Sequence, residues 1–186
     1  MRIISGELKG KKIFLPKDKN TRPLRDLVKE SIFNLLEHSK KIKIQIEDSV
    51  VLDLFSGSGS FGIECISRKA KKVSFIENYS DALKILNKNI FNLNITEKCN
   101  VIGRDCFEIF NSEKYFSHKF DIIFIDPPYK ENKINDIIYT IKNKKILNKD
   151  GIIIIHRHKN DNLIITNNLN ILDTRKYGIS KIIIGN

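Results

Sequence analysis

The chain has no tryptophan, one methionine, four prolines and three cysteines in 186 residues. Cys65, Cys99 and Cys106 are odd in number and form no Cys-x-x-Cys pair, which argues against a disulfide framework and against a zinc knuckle. A reducing cytoplasm is the expected setting. No apolar run approaches the roughly 20 residues of a membrane span; the longest candidates, such as Gly151–Ile155, are strand-sized. The opening Met1-Arg2-Ile3-Ile4-Ser5-Gly6 runs into charged residues and offers no signal-peptide core, so neither export nor a membrane partner is expected. Histidine is scarce as well. His156-x-His158 is the one pair with ligand-like spacing, too little to expect a metal site.

What is present is apolar and basic. Hydrophobic residues make up 41%, with 11 phenylalanines, enough for a real core in one unit of ordinary domain size. The formal net charge is +11, a balance that suits a polyanionic partner. An A/T-rich codon bias could also supply lysines, but it would spread them evenly. Residues 1–45 carry 12 Lys and Arg against 5 Asp and Glu, whereas residues 46–186 carry 21 against 17. The first quarter of the chain therefore holds most of the excess.

That first part reads as two short strands, Arg2–Gly6 and Lys11–Leu15, then a loop through Lys17–Arg22. A helix starts near Pro23 and places Leu24, Val28, Ile32 and Leu35 on one face. From Ser49 on, strands and helices alternate. Strands are predicted at Val50–Phe55, Lys72–Ile76, Lys98–Ile102, Phe120–Ile125 and Gly151–His156. Helices are predicted after Gly59, over Ser80–Leu93, around Asp105–Phe110 and over Lys133–Lys145. Runs such as Ile122-Ile123-Phe124-Ile125 are typical of strands covered on both faces in a mainly parallel sheet. Ile171–Tyr177 and Ile179–Ile184, around Gly178, read as an antiparallel hairpin. The fold class is a doubly wound α/β sheet with that hairpin at one edge, so chemistry belongs at the carboxyl ends of the strands.

Four strand ends carry candidates. The first reads Asp53-Leu54-Phe55-Ser56-Gly57-Ser58-Gly59-Ser60-Phe61-Gly62, a G-x-G-x-x-G turn with Glu77 20 residues beyond Gly57. This fits a dinucleotide fingerprint. It also fits S-adenosylmethionine, and Asp53 favours the latter, because a carboxylate suits an ammonium and not a pyrophosphate. At the second end, Glu77-Asn78 can accept from ribose hydroxyls. At the third, Asp105-Cys106 can accept from an adenine amine, and Asp105 can equally cap a helix. The fourth end is Asp126-Pro127-Pro128-Tyr129. Two successive prolines remove two N–H donors and fix φ, leaving a rigid turn rich in acceptors. Asp126 and the Pro127 carbonyl can orient an exocyclic NH2 as a nucleophile, and Tyr129 can stack on an unpaired base.

These residues resemble the motifs of class I S-adenosylmethionine-dependent amino-methyltransferases, whose signature is (Asn/Asp/Ser)-Pro-Pro-(Tyr/Phe). The segment Arg2-Ile3-Ile4-Ser5-Gly6, Gly10-Lys11-Lys12, Pro16, Thr21-Arg22-Pro23, Asp26, Val28, Lys29-Glu30 and Phe33-Asn34, with Arg175-Lys176-Tyr177-Gly178 near the end, resembles the RsmD family. The resemblance implies a Rossmann-like, seven-stranded methyltransferase that methylates the N2 amine of one guanine in 16S rRNA, on the small ribosomal subunit or its assembly intermediate. It implies that Asp53, Phe55, Ser56, Gly57 and Gly59 hold the methionyl part of the cofactor, Glu77 and Asn78 the ribose, and Asp105 with Cys106 the adenine. Asp126, Pro127, Pro128 and Tyr129 would hold the guanine, and Lys11, Lys12, Arg22, Pro23 and Arg25 the RNA. Residues 1–45 would then be an RNA-contacting extension and residues 46–186 the catalytic domain of a monomer. Two departures stand out. Leu24 and Leu27 replace a threonine and a basic residue of the family pattern, and His156-Arg157-His158 stands where an acidic residue is usual. The other readings are an adenine-N6 DNA or RNA methyltransferase, a non-catalytic RNA-binding module on this fold, and a nicotinamide oxidoreductase.

Overall fold

Strands whose Ile, Val, Leu and Phe side chains must be covered on both faces can only lie between two layers of helices. The structure, a computed structural model, describes residues 1–17, 23–111, 115–116, 118–161, 165 and 168–186. Among these, seven strands form one sheet: β1 (Val50–Leu54), β2 (Lys72–Ile76), β3 (Cys99–Ile102), β4 (Phe120–Ile125), β5 (Leu147–His158), β6 (Ile171–Tyr177) and β7 (Ser180–Gly185). Their spatial order is β3-β2-β1-β4-β5-β7-β6. The first five are mutually parallel, and β7 enters between β5 and β6, antiparallel to both.

Parallel neighbours need crossovers. These are α2 (Ser60–Ser67), α3 (Ser80–Asn92), α4 (Cys106–Phe110) and α5 (Ile134–Asn143), preceded by α1 (Asp26–His38). Side chains alternate strictly along the strands. Ile122, Phe124, Ile152 and Ile154 join the core under α1, α2 and α3; Ile123, Ile125, Ile153 and Ile155 join the core under α4 and α5. A stack of three rings knits the first core, with Phe61 at 5.3 Å from Phe33 and 4.1 Å from Phe124. Chain order reverses between β1 and β4, so the crevice of this fold opens beyond Leu54 and Ile125.

The N-terminal hairpin is looser than its sequence predicts. The expected strands Arg2–Gly6 and Lys11–Leu15 pair at one isolated bridge, Arg2 with Lys12. Three backbone bonds still join the hairpin's two arms, Ile3 N–H to the Lys11 carbonyl, Gly10 N–H to the Ile3 carbonyl and Ile13 N–H to the Met1 carbonyl, and other amides of the segment turn to α2. The buried Glu64 carboxylate accepts from the Ile4 and Ser5 N–H groups at 2.8 and 2.9 Å, and the Ser67 carbonyl accepts from Glu7 N–H at 2.7 Å. Lys29 of α1 closes this junction. It is fully buried, donates to the Arg2 carbonyl at 3.0 Å and lies 3.5 Å from Glu64. Burial lowers the pKa of Lys29, with Glu64 and Asp26 opposing that shift. The helix itself begins at Asp26, with Pro23 and Leu24 leading into it, and residues 18–22, including Arg22, lie outside the described residues.

Candidate active site

At the switch point the chain turns hard from β1 into α2. Phe55 adopts a left-handed φ of 59°, a strained conformation for a side chain of that size. Gly59 caps α2 at φ 80°, and a Cβ there would meet Leu86 Cδ1 at 2.4 Å. Gly62 is needed for a different reason: its Cβ would run into the Phe75 ring at 2.3 Å. The glycines thus let the loop turn sharply and let α2 close onto β2.

This turn forms one wall of a cavity of about 190 Å³. Asp53, Phe55, Ser56 and Gly57 line it from the β1 end, Glu77 and Asn78 from the β2 end, and Asp126, Pro127 and Pro128 from the β4 end. Pro23 and Leu24 cover it from the entry to α1. Ten of the sequence-predicted site residues therefore meet in one place, although they are spread from position 23 to position 128.

The electrostatics of the cavity are one-sided. Asp53, Glu77 and Asp126 line it, and no lysine or arginine does among the described residues. Asp53 is buried and its Oδ2 accepts from Gly62 N–H at 3.1 Å. Desolvation holds its pKa well above the usual carboxylate value; the Gly62 hydrogen bond opposes that rise, and the charges of Asp126 and Glu77 add to it. Glu77 is fixed at both oxygens, accepting from Gly57 N–H at 2.7 Å and Tyr79 N–H at 2.8 Å. The Gly57 amide, which a pyrophosphate would need, is therefore already bound to a carboxylate. Such a cavity suits a ligand carrying positive charge and hydroxyls, and repels phosphate. An ammonium, a sulfonium and a ribose fit it.

The β3 end adds the next surface. Asp105 caps α4, accepting from Phe107 N–H at 2.8 Å, and also accepts from the Asn78 side-chain amide at 2.8 Å. Both of its sequence readings can hold at once, because a carboxylate has lone pairs to spare. Cys106 lines a small crevice shared with Phe55, Glu77 and Asn78. Burial, with Asp105 and Glu131 adding, pushes its thiol pKa far up, so it offers a neutral apolar contact rather than a nucleophile.

Beyond β4, Asp126 is bonded through Oδ1 to His156 Nδ1 at 2.8 Å, and His156 Nε2 pairs with Ser180 Oγ at 2.8 Å. Arg157, 3% exposed, donates to the carbonyls of Pro128, Tyr129 and Glu131 at 3.2, 2.9 and 2.9 Å and is paired with Asp161. The Tyr129 ring stands edge-on to His158 at 5.1 Å, beside the cavity. In the sequence, His156 and Arg157 are marked only by lying at the end of the fifth strand, which pairs with β4, and Ser180 carries no such signal.

The basic residues lie outside the cavity. Lys11, Lys12 and Arg25 are exposed, and none of them lines it. Lys12 and Lys88 flank the Phe14 ring at 5.7 and 4.5 Å. Among the described residues no three His, Cys, Asp or Glu side chains group as metal ligands, and no helix is long and apolar enough to cross a membrane.

Known proteins are similar to this chain in sequence and fold. Residues 1–186 match the model of a family described as conserved hypothetical protein 95. The chain is 37% identical over 166 residues to the ribosomal RNA small subunit methyltransferase D of Buchnera aphidicola subsp. Acyrthosiphon pisum, covering 89% of this chain and 82% of that one. It is 33% identical over 180 residues to the protein of the same name from Haemophilus influenzae, covering 96% and 90%. The crystal structure of a Haemophilus influenzae methylase superposes with a TM-score of 0.78 at 30% identity, covering 99% of this chain and 96% of that chain.

Proposed function

This chain belongs to the RsmD family of class I methyltransferases, and we propose that it methylates the exocyclic N2 amine of one guanine in 16S rRNA, with S-adenosylmethionine as donor. The observation that supports the reading is the acidic cavity, lined by no cation among the described residues, that Asp126, Pro127 and Pro128 help to wall. When bound, the cofactor supplies a methyl group made electrophilic by its sulfonium.

The chain's own residues do the rest. Asp53 offsets the positive charge of the donor, and Glu77, locked by two backbone amides, accepts from the ribose. Asp105 and Cys106 form the adenine end, and Asn78, on the ribose side, donates to Asp105. On the substrate side, an exocyclic amine is a poor nucleophile, because its lone pair is delocalised into the ring. Asp126 and the Pro127 carbonyl accept its two N–H groups and turn the lone pair out of conjugation toward the methyl carbon. Tyr129 stacks on the extruded base. No general base is required for the attack, since the amine sheds its proton readily once methylated.

Segment 1–45, with Lys11, Lys12, Arg22, Pro23 and Arg25, serves as the RNA-contacting extension of a catalytic domain at 46–186. The protein works as a monomer in the cytoplasm. The test is transfer of labelled methyl groups to small ribosomal subunits that lack the modification, followed by nucleoside analysis. N2-methylguanosine is expected. N6-methyladenosine, or no transfer by protein that still binds cofactor, would overturn the assignment.

A further inference from the structure

His156 lies 2.8 Å from the Asp126 carboxylate, and its chemistry at that position is the opposite of an acid's. A second carboxylate 2.8 Å from Asp126 would leave two like charges sharing one site, and one of them would hold a proton. An imidazole in the same place donates. The carboxylate oxygen is the acceptor in this bond, so the hydrogen lies on His156 Nδ1. In the tautomer with that single ring hydrogen, Nε2 accepts from the Ser180 hydroxyl. Both ring nitrogens are thus used, in a side chain that is 1% exposed. Their partners come from two different elements, the loop after β4 and strand β7.

We infer that His156 is the positioning residue for Asp126, holding the carboxylate in one orientation toward the substrate amine through an Asp126–His156–Ser180 hydrogen-bond chain. The inference rests on the reading of Asp126 as the amine acceptor. The backbone on either side supports it. Arg157 ties the carbonyls of Pro128, Tyr129 and Glu131 to the same strand end, so the loop is fixed by its main chain while His156 fixes the Asp126 side chain. Ser180 lies opposite His158 in the antiparallel β5–β7 register, with His156 opposite Ile182, which places the hydroxyl one diagonal away from the ring. The C-terminal hairpin therefore reaches the active site through a single hydroxyl.

Four variants separate positioning from mere packing. His156→Phe fills the space but cannot donate; its kcat should fall on the order of 10²-fold, the scale on which orientation errors act, with cofactor affinity unchanged. His156→Asn restores a donor near the position of Nδ1 and should recover most of that loss. Ser180→Ala, which leaves the ring in place, should lower kcat several-fold and keeps the test alive if the Phe variant does not fold. In an Asp126→Asn background, His156→Phe should have almost no further effect.

A readout without substrate comes from 15N NMR of the ring. The neutral tautomer with hydrogen on Nδ1 is expected, lost as the preferred form in Asp126→Ala. Observation of the Nε2–H tautomer, equal activity of wild type and His156→Phe, or equal loss in the Phe and Asn variants would each overturn the inference. Wild-type protein inactive on ribosomal RNA would instead overturn the proposed function, leaving the tautomer to be read independently.

Discussion

The cavity at the strand ends and the first 45 residues carry opposite charge. Three carboxylates line the one with no cation beside them among the described residues, while the other holds 12 Lys and Arg against 5 Asp and Glu. Under the proposed function, the difference teaches how one small chain handles two ligands of opposite sign. A cationic donor would be drawn into a desolvated acidic site, and a polyanion would be held outside it by solvated lysines. Each region would repel the other's ligand. Within the basic segment a second contrast appears, because Lys29 belongs to the core and Lys11 and Lys12 to the surface.

The sharpest way to break the comparison is at its seam, where Asp126 belongs to the acidic cavity but faces the substrate. Asp126→Ala should lower turnover by about 10²–10³-fold, the usual cost of losing one well-placed polar group in a transition state. Affinity for S-adenosylhomocysteine, measured by calorimetry, should barely change. A loss of cofactor binding equal to the loss of turnover would place Asp126 with Asp53 and remove the division inside the site.

Next in size is Lys29→Met, which tests whether basic residues in the first segment all serve RNA. Removing one partner of a buried pair leaves Glu64 and the Arg2 carbonyl poorly matched, and Glu64 keeps only Arg68 at 3.1 Å as its cation. The expected cost is about 3 kcal/mol in denaturant unfolding, the low end for breaking a buried pair. The salt dependence of RNA binding should stay as in wild type. For Lys11→Ala and Lys12→Ala the pattern reverses: stability is kept, and the slope of log K against log salt falls by about 1 for each.

Asp53→Asn comes third. Replacing the carboxylate by an isosteric amide should weaken cofactor binding by about 1.5–3 kcal/mol, the worth of a hydrogen bond to a charged group. The ligand-free protein should gain stability near neutral pH. Because burial raises the Asp53 pKa above the ordinary carboxylate value of 3.8, the folded state keeps a proton that the unfolded chain releases. Its contribution to stability is therefore complete below that value and is lost as pH rises toward the elevated folded pKa. Thermal melts across acid to neutral pH should show this decline in wild type and a flatter profile in the variant. Parallel profiles would remove Asp53 as its source.

Much of this was legible in the sequence. Ile and Phe runs bounded by Gly and Asp mark buried parallel strands, and the fold class places their ends together; Asp53, Gly57, Glu77 and Asp126 follow from that alone. Tertiary covering is what the sequence does not display. Lys29 sits beside Val28 on a helix whose polar side looks solvated, and only the return of residues 1–13 over α1 and α2 buries it. The docking of the N-terminal hairpin on α2 is hidden for the same reason, since Glu64 accepts from the Ile4 and Ser5 amides from 60 and 59 positions away. His156 and Ser180 are joined by strand register, which residue spacing does not encode.

The smallest expected effect concerns the two leucines that depart from the family pattern, and it divides them. Leu24 is 4% exposed and lines the cavity, so its apolar side chain is part of the site wall. Leu27 is 66% exposed on α1, close in sequence to Arg25 and Pro23, and buries almost nothing. Leu27→Arg should change stability by less than about 0.5 kcal/mol, as exposed substitutions do. If the outward side of α1 lies on the RNA backbone, the new guanidinium gains a phosphate contact. RNA affinity then rises several-fold at low salt and the salt slope steepens by about 1. If the slope is unchanged, α1 points away from the RNA and the basic surface that grips it is confined to the Lys11-Lys12 turn. Either result redraws the boundary between the segment that touches RNA and the segment that only supports the acidic cavity.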